Sequence, residues 1–281
     1  MADVQRLLAR MSPSGFDAWG KCEAAWMFRY VEGLWSPPSG AMAAGTGFDG
    51  VTNDFYLDRL AFGETMTEEA VSDHFATSFK RAAADVENWG DESPGGLLDE
   101  GVRASRNWRA KIGVFVVPTK IQPKIEVEVE LPEEHAEPNS RFGLSNRITL
   151  PGYADLVGLV PGGIEPVETV IDHKFSKRPW GANDVLRETQ PIVYSLALGI
   201  PRFQFHIARR LKTSRMKVLG RTIGEADRVG MLNRYAITRR KIAAACTTGD
   251  FLPNRKSNLC SRKWCGYWET CETRFGGRVP E

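Results

Sequence analysis

The stretch RITLPGYADLVGLVPGGIEPVETVIDHKF, residues 147–175, decides how the chain folds. Alternating and β-branched residues run through 147–160 and 167–175, and Pro161, Gly162 and Gly163 supply a turn between them. Together with IEVEVEL (125–131) they read as three consecutive strands joined by hairpins. Strand alternation sends Asp172 and Lys174 to one face and Ile171 and His173 to the other. Asp155, on the preceding strand, is brought toward Asp172 by cross-strand pairing. Two carboxylates held together repel unless a cation lies between them, and hard oxygen ligands favour Mg²⁺ or Mn²⁺. A lysine alongside can orient an attacking water or stabilise charge on a phosphoryl group. The competing account is an ordinary surface ion pair on a hairpin.

Outward from this stretch the pattern turns helical. Ser12 to Leu34 gives a Ser cap followed by Phe16, Trp19, Trp26, Phe28 and Tyr30, with an end at Gly33. WSPPSGAMAAGTG (35–47) reads as a loop, with a second helix starting near Thr46 or Gly47. Residues 67–89 and 97–112 carry helical spacing. Downstream, 183–198 reads as a helix, 203–209 as a short strand and 222–246 as a long helix. Gln190 and Tyr194 lie one helical turn apart, an amide and a phenol on one face, and Pro191 suits a first turn. The order is that of an α/β protein in three segments: a helical region at 1–115, a core at 116–246 and a cysteine-rich segment at 247–281.

The 281 residues suffice for one sizeable core, and 42% hydrophobic with 26% charged residues excludes a disordered or repetitive chain. A formal charge of +2 makes general phosphate binding an unsafe inference. Basic character is local, at 208–217, 234–241 and 255–264, the last interleaved with Trp264 and followed by Tyr267 and Trp268. Basic residues with stacking aromatics suit single-stranded DNA, solvated helix faces account for the first two stretches equally well, and the aromatics near the cysteines can instead shield a metal centre. No apolar run approaches the roughly 20 residues that span a bilayer, and the start is no signal peptide, so a cytoplasmic protein with no membrane partner is expected.

Five cysteines fit a closed disulfide framework poorly. Cys260, Cys265 and Cys271 crowd into an irregular tail, Cys22 lies near the other end, and Cys246 stands alone as a small apolar residue. Four soft ligands suit zinc or an iron–sulfur cluster.

GYAD, IDHK and QPIVY, in that order and spacing, resemble the RecB-like branch of the PD-(D/E)xK nuclease superfamily, the type that includes CRISPR-associated exonucleases. The resemblance implies a restriction-endonuclease-like core, a mixed β-sheet flanked by helices, preceded by a helical region and followed by an iron–sulfur appendage. It implies a metal-dependent DNA exonuclease acting on single-stranded ends, with structure-selective endonuclease or non-catalytic DNA-binding scaffold as alternatives. Recombination, repair or CRISPR-type protein partners follow from the same likeness. Its roles fall on Asp155 and Asp172 as ligands of Mg²⁺ or Mn²⁺ and on Lys174 beside the attacking water. The backbone carbonyl of His173 would join the metal, and Gln190 and Tyr194 would hold DNA. Where relatives carry a histidine after a G-T motif, GTGFD puts Asp49, either a metal ligand or a charge at a helix start. His74, His135, His173 and His206 offer no replacement. Glu126, Glu128 and Glu130 either flank the site or face solvent. The likeness also gives Cys22, Cys260, Cys265 and Cys271 to a 4Fe–4S cluster, with zinc the alternative.

Overall fold

The computed structural model describes residues 4–63, 65–136 and 141–281. In chain order the elements are α1 (Val4–Ala9), α2 (Pro13–Lys21), α3 (Glu23–Trp26), α4 (Gly40–Phe62), α5 (Glu68–Ala83) and α6 (Pro94–Lys111). Next come β1 (Val117–Ile121), β2 (Lys124–Glu130), β3 (Arg147–Tyr153), β4 (Leu156–Val160) and β5 (Val167–Ser176). The chain continues with α7 (Ala182–Arg187), α8 (Gln190–Leu198), β6 (Arg202–Arg209), β7 (Arg215–Thr222), α9 (Glu225–Thr248) and α10 (Trp268–Phe275). It divides into two compact units, one of Pro37–Lys124 with Tyr153–Ile223, the other of the N-terminal segment to Ser36, Ile125–Gly152 and Gly224–Glu281.

The first unit is an α/β layer structure around a five-stranded mixed sheet in the order β1-β4-β5-β6-β7. All pairings are antiparallel except β5 with β6, where Asp172 faces Phe205 and His173 faces His206. Alternation along β5 sorts its side chains as expected. Ile171 belongs to the core formed with α4, α5 and α6, Phe175 packs against that core, and Phe48 stacks on Phe175 at 5.2 Å between ring centroids. Lys174 turns the other way and meets Gln190 of α8. The α5–α6 contact depends on the missing side chain at Gly101, because a Cβ there would lie 1.7 Å from the Phe75 ring. Gly101→Ala should therefore lower the melting temperature despite the better helix propensity of alanine, overpacking costing about 1–3 kcal/mol against about 1 gained. A thermal melt of the variant at or above wild type would refute this.

In the second unit β2 and β3 form a two-stranded sheet, and the segment after α1 joins β3 through Met11 N–H donating to Thr149 O at 3.0 Å. α9 closes on this unit. Phe16 stacks on Tyr235 at 4.4 Å, and the buried Arg239 guanidinium donates to the carbonyls of Ser145 and Arg147.

Several sequence expectations are corrected. Residues 147–160 are not one strand: the backbone leaves the ladder at Ala154 and Asp155, and β3 and β4 join different sheets. The loop expected over 35–47 ends at Ser39, whose side chain caps Met42 N–H and starts α4 several residues early. The 208–217 stretch is the end of β6, the turn at 210–214 and the start of β7, with no helix. Its Arg210 is buried against Glu92 at 2.7 Å. The 12–34 helix is interrupted at Cys22, which is extended, and continues as α3 and a π-helical turn before Gly33. The cysteine tail is not wholly irregular, since Cys271 lies buried on α10. Among the described residues no helix is long and apolar enough to cross a membrane.

Candidate active site

The site is assembled where β4 begins and β5 ends its hairpin. Leu156 pairs with Ile171, so the next positions outward, Asp155 and Asp172, come opposite each other, as the hairpin reading requires. Leaving the strand at Asp155 frees its carboxylate to accept the His173 backbone N–H at 2.7 Å. The Lys174 ammonium pairs with Asp172 at 2.6 Å and donates to Gln190 Oε1 at 3.1 Å. Gln190 in turn donates from Nε2 to the Tyr194 hydroxyl at 3.3 Å. Pro191 sits in the first turn of α8, where its missing N–H costs no hydrogen bond. A surface ion pair does not describe this arrangement, because the Asp172 side chain is only 4% exposed.

Asp49 belongs to the same constellation. It lies well inside α4, which begins at Gly40, so the helix-start explanation for its charge fails. Although its side chain keeps contact with solvent, the surrounding protein raises its carboxyl to about 7. Desolvation contributes most and repulsion from Asp172 next, with Lys174 opposing. Asp155 is also held well above the usual carboxylate range, by burial first and then by Asp172 and Asp49. Burial raises Asp172 too, against the pull of Lys174. Burial alone would lower the Lys174 ammonium, but Asp172, then Asp155 and Glu188, more than offset it and keep it protonated. Three carboxylates from α4, the β3–β4 break and β5 thus lie close enough for their negative charges to disfavour one another.

The remaining expected residues fall into different places. The His173 ring lies in the core, 5.9 Å from Tyr56 and 5.4 Å from His206, and burial followed by the neighbouring His206 and Lys174 holds it neutral. Tyr194 is buried, and burial first and Asp172 second push its phenol up to about 12. Glu128 and Glu130 pair with Arg147 and Glu126 pairs with Arg10, all within the second unit. His74 pairs with Asp54.

Sequence reasoning missed part of the surroundings. Asp49, Asp155 and the His173 segment line a narrow recess with Thr52, Asn53, Tyr56 and Gln122, with room for about one water. Thr52, Asn53 and Tyr56 follow Asp49 at helical spacing, a polar stripe visible once α4 is placed correctly. Gln122 carries a positive φ of 44° and donates its N–H to Asp155 O at 3.0 Å, and nothing in its sequence context signals it.

At the thiols, the break at Cys22 lets its sulfur accept the Asn254 backbone N–H at 3.4 Å. Cys271 is raised by burial first, and the charges of Cys22, Cys265 and Cys260 add to this against Arg255. The four sulfurs therefore lie within electrostatic reach of one another, while Cys246 lies near Arg141. Among the described residues no three His, Cys, Asp or Glu side chains stand as a ready-made metal-binding set. Both donor sets suit their groups by chemistry: three clustered carboxylates for a hard divalent ion, four thiols for a soft one.

The carboxylates raise a pH expectation. A native Asp49 that titrates near 7 instead of near 3.8 favours the folded state at low pH and loses that advantage as pH rises through this window. In metal-free buffer, Asp49→Asn should melt above wild type at pH 8 and converge with it near pH 4. Melting curves across that range decide the matter, and a variant less stable than wild type at pH 8 would contradict it.

A family model for the PD-(D/E)XK nuclease superfamily matches residues 10–272. The chain belongs to this superfamily. Among solved structures, it is similar to a protein of Eubacterium rectale described as a "Putative exonuclease", at 13% identity and a TM-score of 0.52, over 92% of this chain and 89% of that one. The structure of SSO0001 matches at 9% identity and a TM-score of 0.31, over 73% of this chain and 77% of that one. No curated protein matches the sequence.

Proposed function

We propose that this nuclease is a metal-dependent DNA exonuclease that hydrolyses phosphodiester bonds at single-stranded ends and carries a structural 4Fe–4S cluster. The observation that carries the reading is the convergence of Asp49, Asp155 and Asp172 beside Lys174, a concentration of negative charge that a divalent cation would relieve. Asp49, Asp155, Asp172 and the His173 carbonyl would hold Mg²⁺ or Mn²⁺, which supplies charge to offset that of the phosphodiester and its transition state. Lys174, which Asp172 holds protonated in the metal-free site, would orient the attacking water and donate to oxygen as negative charge develops. Gln190 and Tyr194 would position the DNA, and their hydrogen bonds, between Tyr194 and Gln190 and between Gln190 and the Lys174 ammonium, tie that role to the lysine. Cys22, Cys260, Cys265 and Cys271 would hold the cluster. "Exonuclease" agrees with the description of the Eubacterium rectale protein.

The test is degradation of linear against circular single-stranded DNA with Mn²⁺ or Mg²⁺. Loss of linear DNA alone supports the reading. Cutting of circles makes the protein an endonuclease, and retained binding without cutting makes it a scaffold. Iron and zinc analysis of the purified protein decides the occupant of the thiols.

A further inference from the structure

The cysteine-bearing unit presents two large indoles to solvent. Trp35 is 66% exposed and Trp264 46%, whereas Trp19 and Trp26 of the same unit are buried. Their loops adjoin. The Tyr267 hydroxyl donates to Leu34 O at 3.2 Å, and Ser36 approaches Gly266 so closely that a Cβ at 266 would lie 1.8 Å from its Oγ. Trp35 thus sits between two residues fixed against the Trp264 segment.

The neighbouring Tyr267 and Trp268 are more covered. Tyr267 lies 5.7 Å from Phe28, and the Arg262 guanidinium covers Trp268 at 4.6 Å. The surroundings of the two indoles are cationic: the Lys263 ammonium lies 4.9 Å over Trp264, and the exposed Arg29 acts on Tyr267. Exposed aromatic faces beside cations match unpaired bases on a phosphate backbone: every base offers a π-face, and every phosphate a negative charge.

We propose that Trp35 and Trp264 form a stacking platform for the bases of single-stranded DNA, with Lys263 and Arg29 turned to its phosphates. The inference rests on the nuclease reading above and adds a binding surface distinct from the hydrolytic residues.

The test is fluorescence anisotropy with labelled oligothymidylate in EDTA, where no cleavage occurs. Wild type is compared with Trp35→Ala, Trp264→Ala, the double alanine variant and the double phenylalanine variant. Each alanine should weaken binding about tenfold, and phenylalanine should restore most of the loss. The slope of log affinity against log salt should stay constant, because no phosphate contact is removed. Unchanged affinity in the double alanine variant overturns the platform and leaves the nuclease reading intact if that variant still degrades linear DNA. A loss that phenylalanine does not rescue and that tracks a lower melting temperature makes the indoles structural. A change in oligomeric state with unaltered DNA affinity reassigns them to a protein contact. A wild type that neither binds nor degrades single-stranded DNA overturns both proposals.

Discussion

Lys174→Ala is expected to lower the rate of phosphodiester hydrolysis by roughly 10²–10³ or more, the range found when one preorganised donor to a developing oxyanion is removed. The expectation follows from its surroundings: the ammonium is held by Asp172 at 2.6 Å and Gln190 at 3.1 Å, so it is fixed before substrate arrives. The same substitution leaves Asp172 buried without its cation, which destabilises the fold by an amount of order 3–5 kcal/mol unless the carboxyl takes up a proton. Melting temperature should therefore fall less as pH is lowered, since burial already raises the Asp172 carboxyl and its protonation relieves the deficit. Adding Asp172→Asn to Lys174→Ala should recover stability and no activity. That separates catalysis from folding. A Lys174→Ala protein that degrades linear single-stranded DNA within a few-fold of wild type would remove the lysine from the chemistry.

What the sequence disclosed of this site follows from the period of a β-strand. Asp172 and Lys174 share a face because they are two apart, and Asp155 meets Asp172 because the hairpin turn fixes the register. Other parts were hidden for equally physical reasons. β7 is an edge strand with five of its eight positions exposed and with Arg215, Lys217 and Arg221 interrupting its apolar residues, so its first residues read as part of a basic stretch. β1 is short and contains Pro118, which weakens any strand signal. The division of 147–160 between two sheets had a local signal in Pro151, Gly152 and Asp155, all poor strand residues, but the different partners of the two halves are a tertiary fact. Asp49 was legible as an acid at a distinctive position but not as a mid-helix residue, because Gly40, Gly45 and Gly47 disguised the start of α4. Gly47 serves close packing instead, lying within 3.0 Å of Phe79 by its missing Cβ.

Replacing Cys22 or Cys265 by serine is expected to remove visible absorbance and bound metal and to lower the melting temperature in the same step. Cys22 and the Asn254 that contacts it are 232 positions apart, so a metal centre shared by Cys22 and the three C-terminal cysteines would close a loop embracing most of the chain. Chain entropy for a closure of that length is about 5 kcal/mol, which for a protein of this size corresponds to more than about 10 °C. Other ties between the same parts remain, among them Arg274 with Glu32, the Tyr267 hydroxyl on Leu34, Asn254 on Lys21 O, Phe16 against Tyr235 at 4.4 Å and Trp19 against Phe251 at 6.2 Å. Each ion pair or neutral hydrogen bond contributes on the order of 1 kcal/mol, so loss of the clasp lowers stability without by itself unfolding this unit. Cys246→Ser provides the control, since that thiol lies elsewhere on α9 and should leave absorbance and metal content unchanged. The measurement is metal content, absorbance and calorimetric melting on the same preparations. Absorbance lost without any fall in melting temperature would make the centre a passenger on an already closed fold, and metal retained in both serine variants would take Cys22 and Cys265 out of the ligand set.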